Sequence, residues 1–151
     1  MSHFEFFPTF GYLKNHMLAC FRPVGKPVFG IHDPVGLRYL FQLRLGLSHL
    51  RSHKKCHNFT DIQSDRCACM QGVEDSYHFL LNCSSYDTQR ATLINDVTAI
   101  LLINNLNYPV NFPLNELNLL LYGHPSISQT DNKRILMSTI KFIKDSGRFT
   151  I

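Results

Sequence analysis

The 151-residue chain has no tryptophan, and charged residues make up only 17% of it. It also lacks the run of roughly 18 to 20 consecutive apolar residues that a membrane helix needs. Its first twenty residues show no basic segment followed by an apolar block, so no secretory signal is expected. We therefore expect a nuclear or cytoplasmic protein that is neither secreted nor in a membrane. The hydrophobic fraction of 44% is typical of a globular core in a chain of one-domain size.

Sequence motifs of the common catalytic classes are missing as well. The chain has no G-x-S-x-G, no G-x4-G-K-[ST] and no H-E-x-x-H. Polymerase chemistry needs paired carboxylates that hold two metal ions. The adjacent acids Glu74 and Asp75 fit helix capping better than catalysis. The sequence therefore predicts a protein that is not an enzyme.

Charge is distributed in three blocks along the chain. Residues 1–58 hold eight Lys/Arg against two acids, residues 59–131 hold two against eight, and residues 132–151 hold five against one. The formal net charge of +4 thus conceals a strongly basic first block. Such a block can meet the phosphates of a nucleic acid, and a solvated helix face is the alternative explanation.

Apolar spacing and capping residues predict a mostly helical chain. A short helix is expected over 9–21, followed by a Pro/Gly-rich loop up to residue 33. Asp33 and Pro34 form a good helix start, and this helix is expected to run to about Lys55 with Gly46 as a weak point. Further helices are expected from Glu74 or Asp75 to 81, over 86–102, over 114–122 before Gly123, and from Thr130 or Asp131 to 145.

Three of the five cysteines lie within 17 residues that also contain a histidine, in the pattern C-x-C-x8-H-x4-C. The candidate metal ligands are Cys67, Cys69, His78 and Cys83. Three thiolates and one imidazole are a standard tetrahedral set for one structural Zn²⁺. Residues five apart do not share a face of an α-helix, so Cys83 is expected just beyond the end of that helix. Cys56 or His57 could replace a member of the set, and free cysteines are the alternative interpretation.

These elements together predict a mainly α fold. We expect a small helical domain at 34–151 with an embedded zinc-bound turn-helix unit at 67–83. Residues 1–33 are expected to form an N-terminal helix and a Pro/Gly-rich lead-in.

A second group of candidate residues lies along the helix expected over 34–55 and just beyond its end. Arg44, Arg51 and Lys55 share one stripe with Ser48 at three- and four-residue steps, His49, His53 and His57 recur at four-residue steps, and Lys54 lies among them. We expect this group to contact nucleic-acid phosphates or bases. A solvated polar face is the alternative, and a second metal site is the least favoured because no carboxylate accompanies the histidines.

Several stretches resemble a known family. They are VFGIHDPVGL at 28–37, LRLGLSHLRSHK at 43–54, the C-x-C…H…C segment at 67–83, and LLLYG at 119–123. Together they resemble the region that follows the polymerase in non-LTR (LINE-type) retrotransposon polyproteins, including its zinc-binding segment. The resemblance covers about residues 20–151 and is densest in the middle third.

The chain departs from this family in two ways. The family usually has Gly after its second Cys, where this chain has Met70, and Gly there permits a tight turn. The endonuclease and the polymerase catalytic domain are absent. The resemblance therefore implies a fragment that helps a reverse transcriptase to hold template RNA or target DNA without copying it. An orphaned packing or interaction module of the polymerase, with no independent activity, is the alternative.

Overall fold

The computed structural model describes residues 27–106 and 115–150, so the helix predicted over 9–21 lies outside the described residues. One-turn 3₁₀ segments span Pro27–Gly30 and Ser84–Tyr86, and a π-helical turn spans His78–Asn82. The α-helices are α1 (Pro34–Leu45), α2 (Arg51–Cys56), α3 (Asp87–Ile103), α4 (Asn115–Tyr122) and α5 (Gln129–Ser146). The described residues form no strand beyond one isolated antiparallel bridge, Arg66 with Val73. The predicted mainly α fold is confirmed.

The prediction of a single helix over 34–55 is wrong, because the helix ends at Leu45 and a second one begins at Arg51. The predicted cap is present at its start, where the Gly36 N–H donates to Asp33 Oδ1 over 2.9 Å. Gly46 adopts a left-handed φ of 69°, and the Leu47 N–H donates back to the Gln42 carbonyl over 2.9 Å. This pairing is the usual glycine ending of a helix. The weak point expected at Gly46 is therefore a true helix end.

Helix α5 is the centre of the fold. It packs against α1, α3, α4 and the 3₁₀ turn at Pro27–Gly30. Its buried face carries Ile135, Leu136, Ile140, Phe142 and Ile143. Helix α1 approaches it closely at Gly36, where a Cβ atom would collide with Ile140. The apolar spacing that predicted α5 therefore marks the face around which the other helices are arranged.

The ends of the last two helices differ slightly from expectation. Ser128, rather than Thr130 or Asp131, caps α5, since its Oγ accepts the Asp131 N–H over 3.2 Å. Gly123 follows α4 with a φ of 85°, as its position in the sequence predicts. Within the described ranges, no helix has the length and apolar character needed to cross a membrane.

Candidate metal centre

The first two candidate ligands lie on a tight loop between Arg66 and Val73. The Cys67 N–H donates to the Gly72 carbonyl over 2.7 Å, and the Met70 N–H donates to the Cys67 carbonyl over 3.0 Å. Met70 completes the turn with a φ of +67°. This is the left-handed conformation that glycine adopts most easily. The loop therefore has a backbone conformation that glycine would favour, with methionine in that place.

The other two ligands lie on either side of the π-helical turn. Asp75 starts this segment, since its Oδ1 accepts the His78 N–H over 2.8 Å. The Cys83 N–H donates to the His78 carbonyl over 2.7 Å, which is a hydrogen bond between residues five apart. A π-turn closes on the fifth residue rather than the fourth. This geometry lets His78 and Cys83 reach the same cluster. Cys83 lies just beyond the end of the segment as expected, although the segment is a π-turn and not the expected α-helix.

The four side chains converge as the sequence predicted. One ligand atom from each of Cys67, Cys69, His78 and Cys83 lies within 4.8 Å of the others. Cys67 Sγ is 3.7 Å from Cys83 Sγ, and Cys69 Sγ is 3.2 Å from His78 Nε2. A tetrahedral ion with metal–sulfur bonds of about 2.3 Å separates its sulfurs by about 3.8 Å. The cluster could therefore hold a metal ion with little movement.

The thiols of the cluster differ in environment. Burial raises the pKa of the Cys67 thiol to about 12, and the neighbouring thiols add to the shift. Burial also acts to raise the pKa of Cys69, but the Gln71 N–H, 3.4 Å from its sulfur, and the adjacent thiols lower it overall. The protein alone thus keeps Cys67 protonated at neutral pH, and a bound cation would displace that proton.

Glu74 connects the metal-binding segment to α2 and to the end of the chain. Its carboxylate accepts two hydrogen bonds from Arg148, at 2.9 and 2.7 Å. It also accepts the Arg51 N–H over 2.8 Å, and its backbone carbonyl accepts the Ser52 N–H over 3.0 Å. Glu74 therefore caps α2, which is a different helix from the one that its position in the sequence predicted.

The π-turn is held against the helices by buried groups. Arg90 in α3 donates to the carbonyls of Leu80 and Phe79, at 2.9 and 3.2 Å. The Phe79 ring is fully buried and lies 5.3 Å from the ring of Phe142 and 5.4 Å from that of Phe149. The metal-binding segment therefore shares its packing with the main core.

Two members of the predicted nucleic-acid-binding group are not available to a nucleic acid. Arg44 is 2% exposed, donates its Nε–H to the Leu121 carbonyl over 2.7 Å and lies over the Tyr122 ring. His53 is 6% exposed, with Nδ1 2.6 Å from Ser48 Oγ. In this structure Arg44 is used between α1 and α4, and His53 is bonded to Ser48 and lies 3.4 Å from Ser76 Oγ, so neither side chain is placed to contact a phosphate or a base.

The remaining members lie around α2. Arg51 and Lys54 are half-buried and Lys55 is exposed, while Lys54 forms an ion pair with Asp61 at 2.7 Å. His49 is half-buried against the Phe149 ring, 6.2 Å away. His57 is exposed, and its Nε2 is 3.2 Å from the Gly46 carbonyl.

The potential metal ligands form one compact set among the described residues. That set consists of Cys67, Cys69, His78 and Cys83, and it does not include Cys56 or His57. The open question of a substitute ligand is thereby answered for the described part of the chain. Comparison of the chain with protein-family models, with curated proteins and with solved structures finds no match.

Proposed function

We propose that this protein is a non-catalytic, zinc-stabilised nucleic-acid-binding domain. The observation that carries the proposal is the convergence of three thiols and one imidazole within 4.8 Å. Thiolate-rich tetrahedral sites favour Zn²⁺ over Mg²⁺ or Ca²⁺, which prefer oxygen ligands. The ion would cross-link the Cys67–Gly72 loop to the π-turn and neutralise two of three thiolate charges. All four tetrahedral positions are filled by protein, as in structural rather than catalytic zinc sites.

The nucleic-acid side of the proposal depends on α2. This helix contains Arg51, Lys54 and Lys55 and no acidic residue. Its N-terminal amides are fixed by Glu74, which lies between Cys69 and His78 in the sequence. A folded metal site would therefore hold a basic helix in one orientation. Such cations position a phosphate backbone and carry no base specificity by themselves.

The test is binding of fluorescent RNA and DNA oligonucleotides by the zinc-loaded protein across a salt series. We expect affinity to fall with salt, and Arg51→Glu with Lys55→Glu to lower the salt slope by about one for each phosphate that the variant no longer neutralises. Arg134→Glu on α5 is the matched control, since its side chain is exposed on a distant helix. No binding of either nucleic acid, or binding that ignores salt, would contradict the proposal.

A second candidate is an interaction module that packs on a larger protein such as a polymerase. Leu102 and Ile103 favour it, since 60% and 66% of these apolar residues are exposed at the end of α3. An exposed apolar pair of this kind favours contact with another surface. This function predicts self-association that Leu102→Lys and Ile103→Lys abolish, as measured by sedimentation, and no binding of oligonucleotides.

A further inference from the structure

The three thiols of the candidate metal centre differ in their access to solvent. Cys67 is 4% exposed and Cys83 is fully buried, whereas Cys69 is half-buried. The Cys69 sulfur also has two polar neighbours, the Gln71 N–H at 3.4 Å and His78 Nε2 at 3.2 Å. Reactive cysteines are typically part-exposed and lie beside electropositive groups, whereas thiols in a buried apolar setting are inert. An oxidant from solvent would therefore meet Cys69 before the other two thiols.

A second thiol lies within reach of the Cys69 sulfur. The ligand atoms of the cluster lie within 4.8 Å of one another, so Cys69 Sγ and Cys83 Sγ are no farther apart than that. A disulfide has a bond length of about 2.05 Å, so the two sulfurs must approach by about 2.8 Å at most. Ala68 and Met70, on either side of Cys69 in the chain, are both exposed. The loop can therefore supply this movement without disturbing the core.

Cys83 is the partner that would give the disulfide a structural effect. Cys67 and Cys69 belong to the same loop, so a bond between them would join no other segment. Cys83 directly follows the π-turn, so a Cys69–Cys83 bond would join the loop to that turn. A bond between Cys67 and Cys83, whose sulfurs are 3.7 Å apart, would first require oxidation of a sulfur that solvent barely reaches. Access and position therefore both favour the Cys69–Cys83 pair.

We propose that Cys69 is a site of oxidation by hydroperoxides and that it then forms a disulfide with Cys83. In the first step the oxygen–oxygen bond of the hydroperoxide breaks and a sulfur–oxygen bond forms at the Cys69 thiol, which gives a sulfenic acid and releases an alcohol or water. In the second step the Cys83 sulfur attacks the Cys69 sulfur. The sulfur–sulfur bond forms, the sulfur–oxygen bond breaks, and the hydroxyl leaves as water with the proton of the Cys83 thiol. Two electrons pass from the two thiols to the hydroperoxide.

The disulfide would replace a metal ion as the cross-link between the loop and the π-turn. It leaves only Cys67 and His78 of the four ligands, which is too few for a structural zinc site. The bond also restricts the unfolded chain between its two ends, which favours the folded state. The oxidised protein would therefore lose its metal and keep this segment folded. This proposal rests on the proposed zinc-stabilised function and adds that oxidation regulates the site.

The test is a titration of the zinc-loaded protein with hydrogen peroxide, with bound zinc measured before and during the titration. We expect release of the zinc, early trapping of Cys69 as its dimedone adduct, and a Cys69–Cys83 disulfide in peptide maps. The oxidised, zinc-free protein should keep hydrogen-exchange protection over 66–83, whereas reduced protein treated with a chelator should lose it. Dithiothreitol with added zinc should restore the starting state.

Cys56→Ser is the matched control. Cys56 is the other half-buried thiol among the described residues, and it lies outside the cluster. Burial raises the pKa of the Cys56 thiol, so less of it is present as the reactive thiolate. We therefore expect the Cys56→Ser variant to release zinc and to form the disulfide at the same peroxide concentrations as the natural chain.

The outcomes separate this proposal from the proposed function. A protein that contains zinc and retains it in peroxide, or that is oxidised first at Cys56, would overturn the oxidation proposal and leave the zinc-stabilised function standing. A first disulfide between Cys67 and Cys83, or loss of protection over 66–83 on oxidation, would overturn it as well. A folded protein that contains no zinc before peroxide is added would overturn both.

Discussion

Met70 is the residue at which the candidate metal-binding loop has a strained backbone. Its left-handed φ of +67° costs a non-glycine residue about 1–2 kcal/mol, part of which is offset by the greater flexibility of unfolded glycine. We therefore expect Met70→Gly to raise the free energy of unfolding by about 0.5–1 kcal/mol, as measured by chemical denaturation of the zinc-loaded protein.

The control for this change lies in the same loop. Ala68 is exposed and has no positive φ, so Ala68→Gly should lower the free energy of unfolding by about 0.5–1 kcal/mol. If both glycine variants are destabilised alike, the left-handed conformation of Met70 is not the source of strain.

His53 makes stability depend on pH. Burial lowers its pKa from 6.5 to about 4, His57 adds to the effect and Glu74 opposes it. In the unfolded chain His53 becomes protonated below about pH 6.5, whereas in the folded chain it stays neutral until about pH 4. The stabilisation is therefore complete above pH 6.5 and is lost as the pH falls, by about 3 kcal/mol in total.

Comparison of variants separates the pH dependence caused by His53 from the destabilisation that acid release of a bound metal would cause. We expect the difference in unfolding free energy between the natural chain and His53→Gln to shrink between pH 7 and pH 4. His32→Gln, at an exposed histidine that takes no part in the His53 shift, should follow the natural chain. A constant difference across this pH range would show that His53 titrates normally.

Single residues also show which parts of the site the sequence can predict. Ligand type and spacing identified all four members of the cluster, because metal coordination requires particular donor atoms. The burial of Arg44 and His53 could not be predicted from residue type and spacing. The partner of Arg44 is the carbonyl of Leu121, 77 residues away, and no local pattern contains that contact.

Among the elements, helix ends were predictable where the local signal was unambiguous. Asp33 and Gly123 marked a start and an end through local backbone chemistry, whereas Gly46 was expected only as a weak point inside one helix. The π-turn at His78–Asn82 was not predicted, although the five-residue spacing from His78 to Cys83 fits it. The spacing led us to expect only a helix end before Cys83, and Cys83 does lie just beyond the end of this segment.

The ion pair between Glu74 and Arg148 joins two elements that are distant in sequence. Glu74 is 4% exposed, and the Arg148 side chain is 26% exposed and bound through two nitrogens. We expect a double-mutant cycle with Glu74→Gln and Arg148→Met to give a coupling energy of about 1–3 kcal/mol. The measurement is chemical denaturation of the four proteins at neutral pH.

An exposed ion pair provides the comparison. Lys141 and Asp145 lie 2.6 Å apart on the surface of α5, with side chains 61% and 47% exposed. Their coupling should be much smaller than that of Glu74 with Arg148, because water screens exposed pairs. Equal coupling in the two cycles would show that the Glu74–Arg148 pair does not fix the metal-binding segment.

For the whole molecule, the metal-binding segment and the helical core form one packing unit. Phe79 lies between two ligands in the sequence and contacts rings from α5 and from the residues after it. Loss of the metal should therefore also disturb residues far from the site. Chain length, apolar spacing and capping residues predicted one mainly α domain, whereas this interlocking depends on contacts between remote positions that no sequence window contains.

Removal of one ligand tests this dependence. We expect His78→Ala to lose the metal, to lower the free energy of unfolding by several kcal/mol and to abolish hydrogen-exchange protection over 66–83. Cys56→Ser should keep the metal, because Cys56 is outside the cluster. Equal melting of both variants, with and without a chelator, would contradict a structural role for the metal.

Zinc-edge X-ray absorption of the purified protein tests the central claim most directly. The proposed function predicts one zinc per chain with three sulfur ligands at about 2.3 Å and one nitrogen ligand at about 2.0 Å. Cys69→Ser should reduce the sulfur count to two or release the ion. A folded protein that contains no zinc, or zinc bound only by oxygen and nitrogen, would contradict the claim.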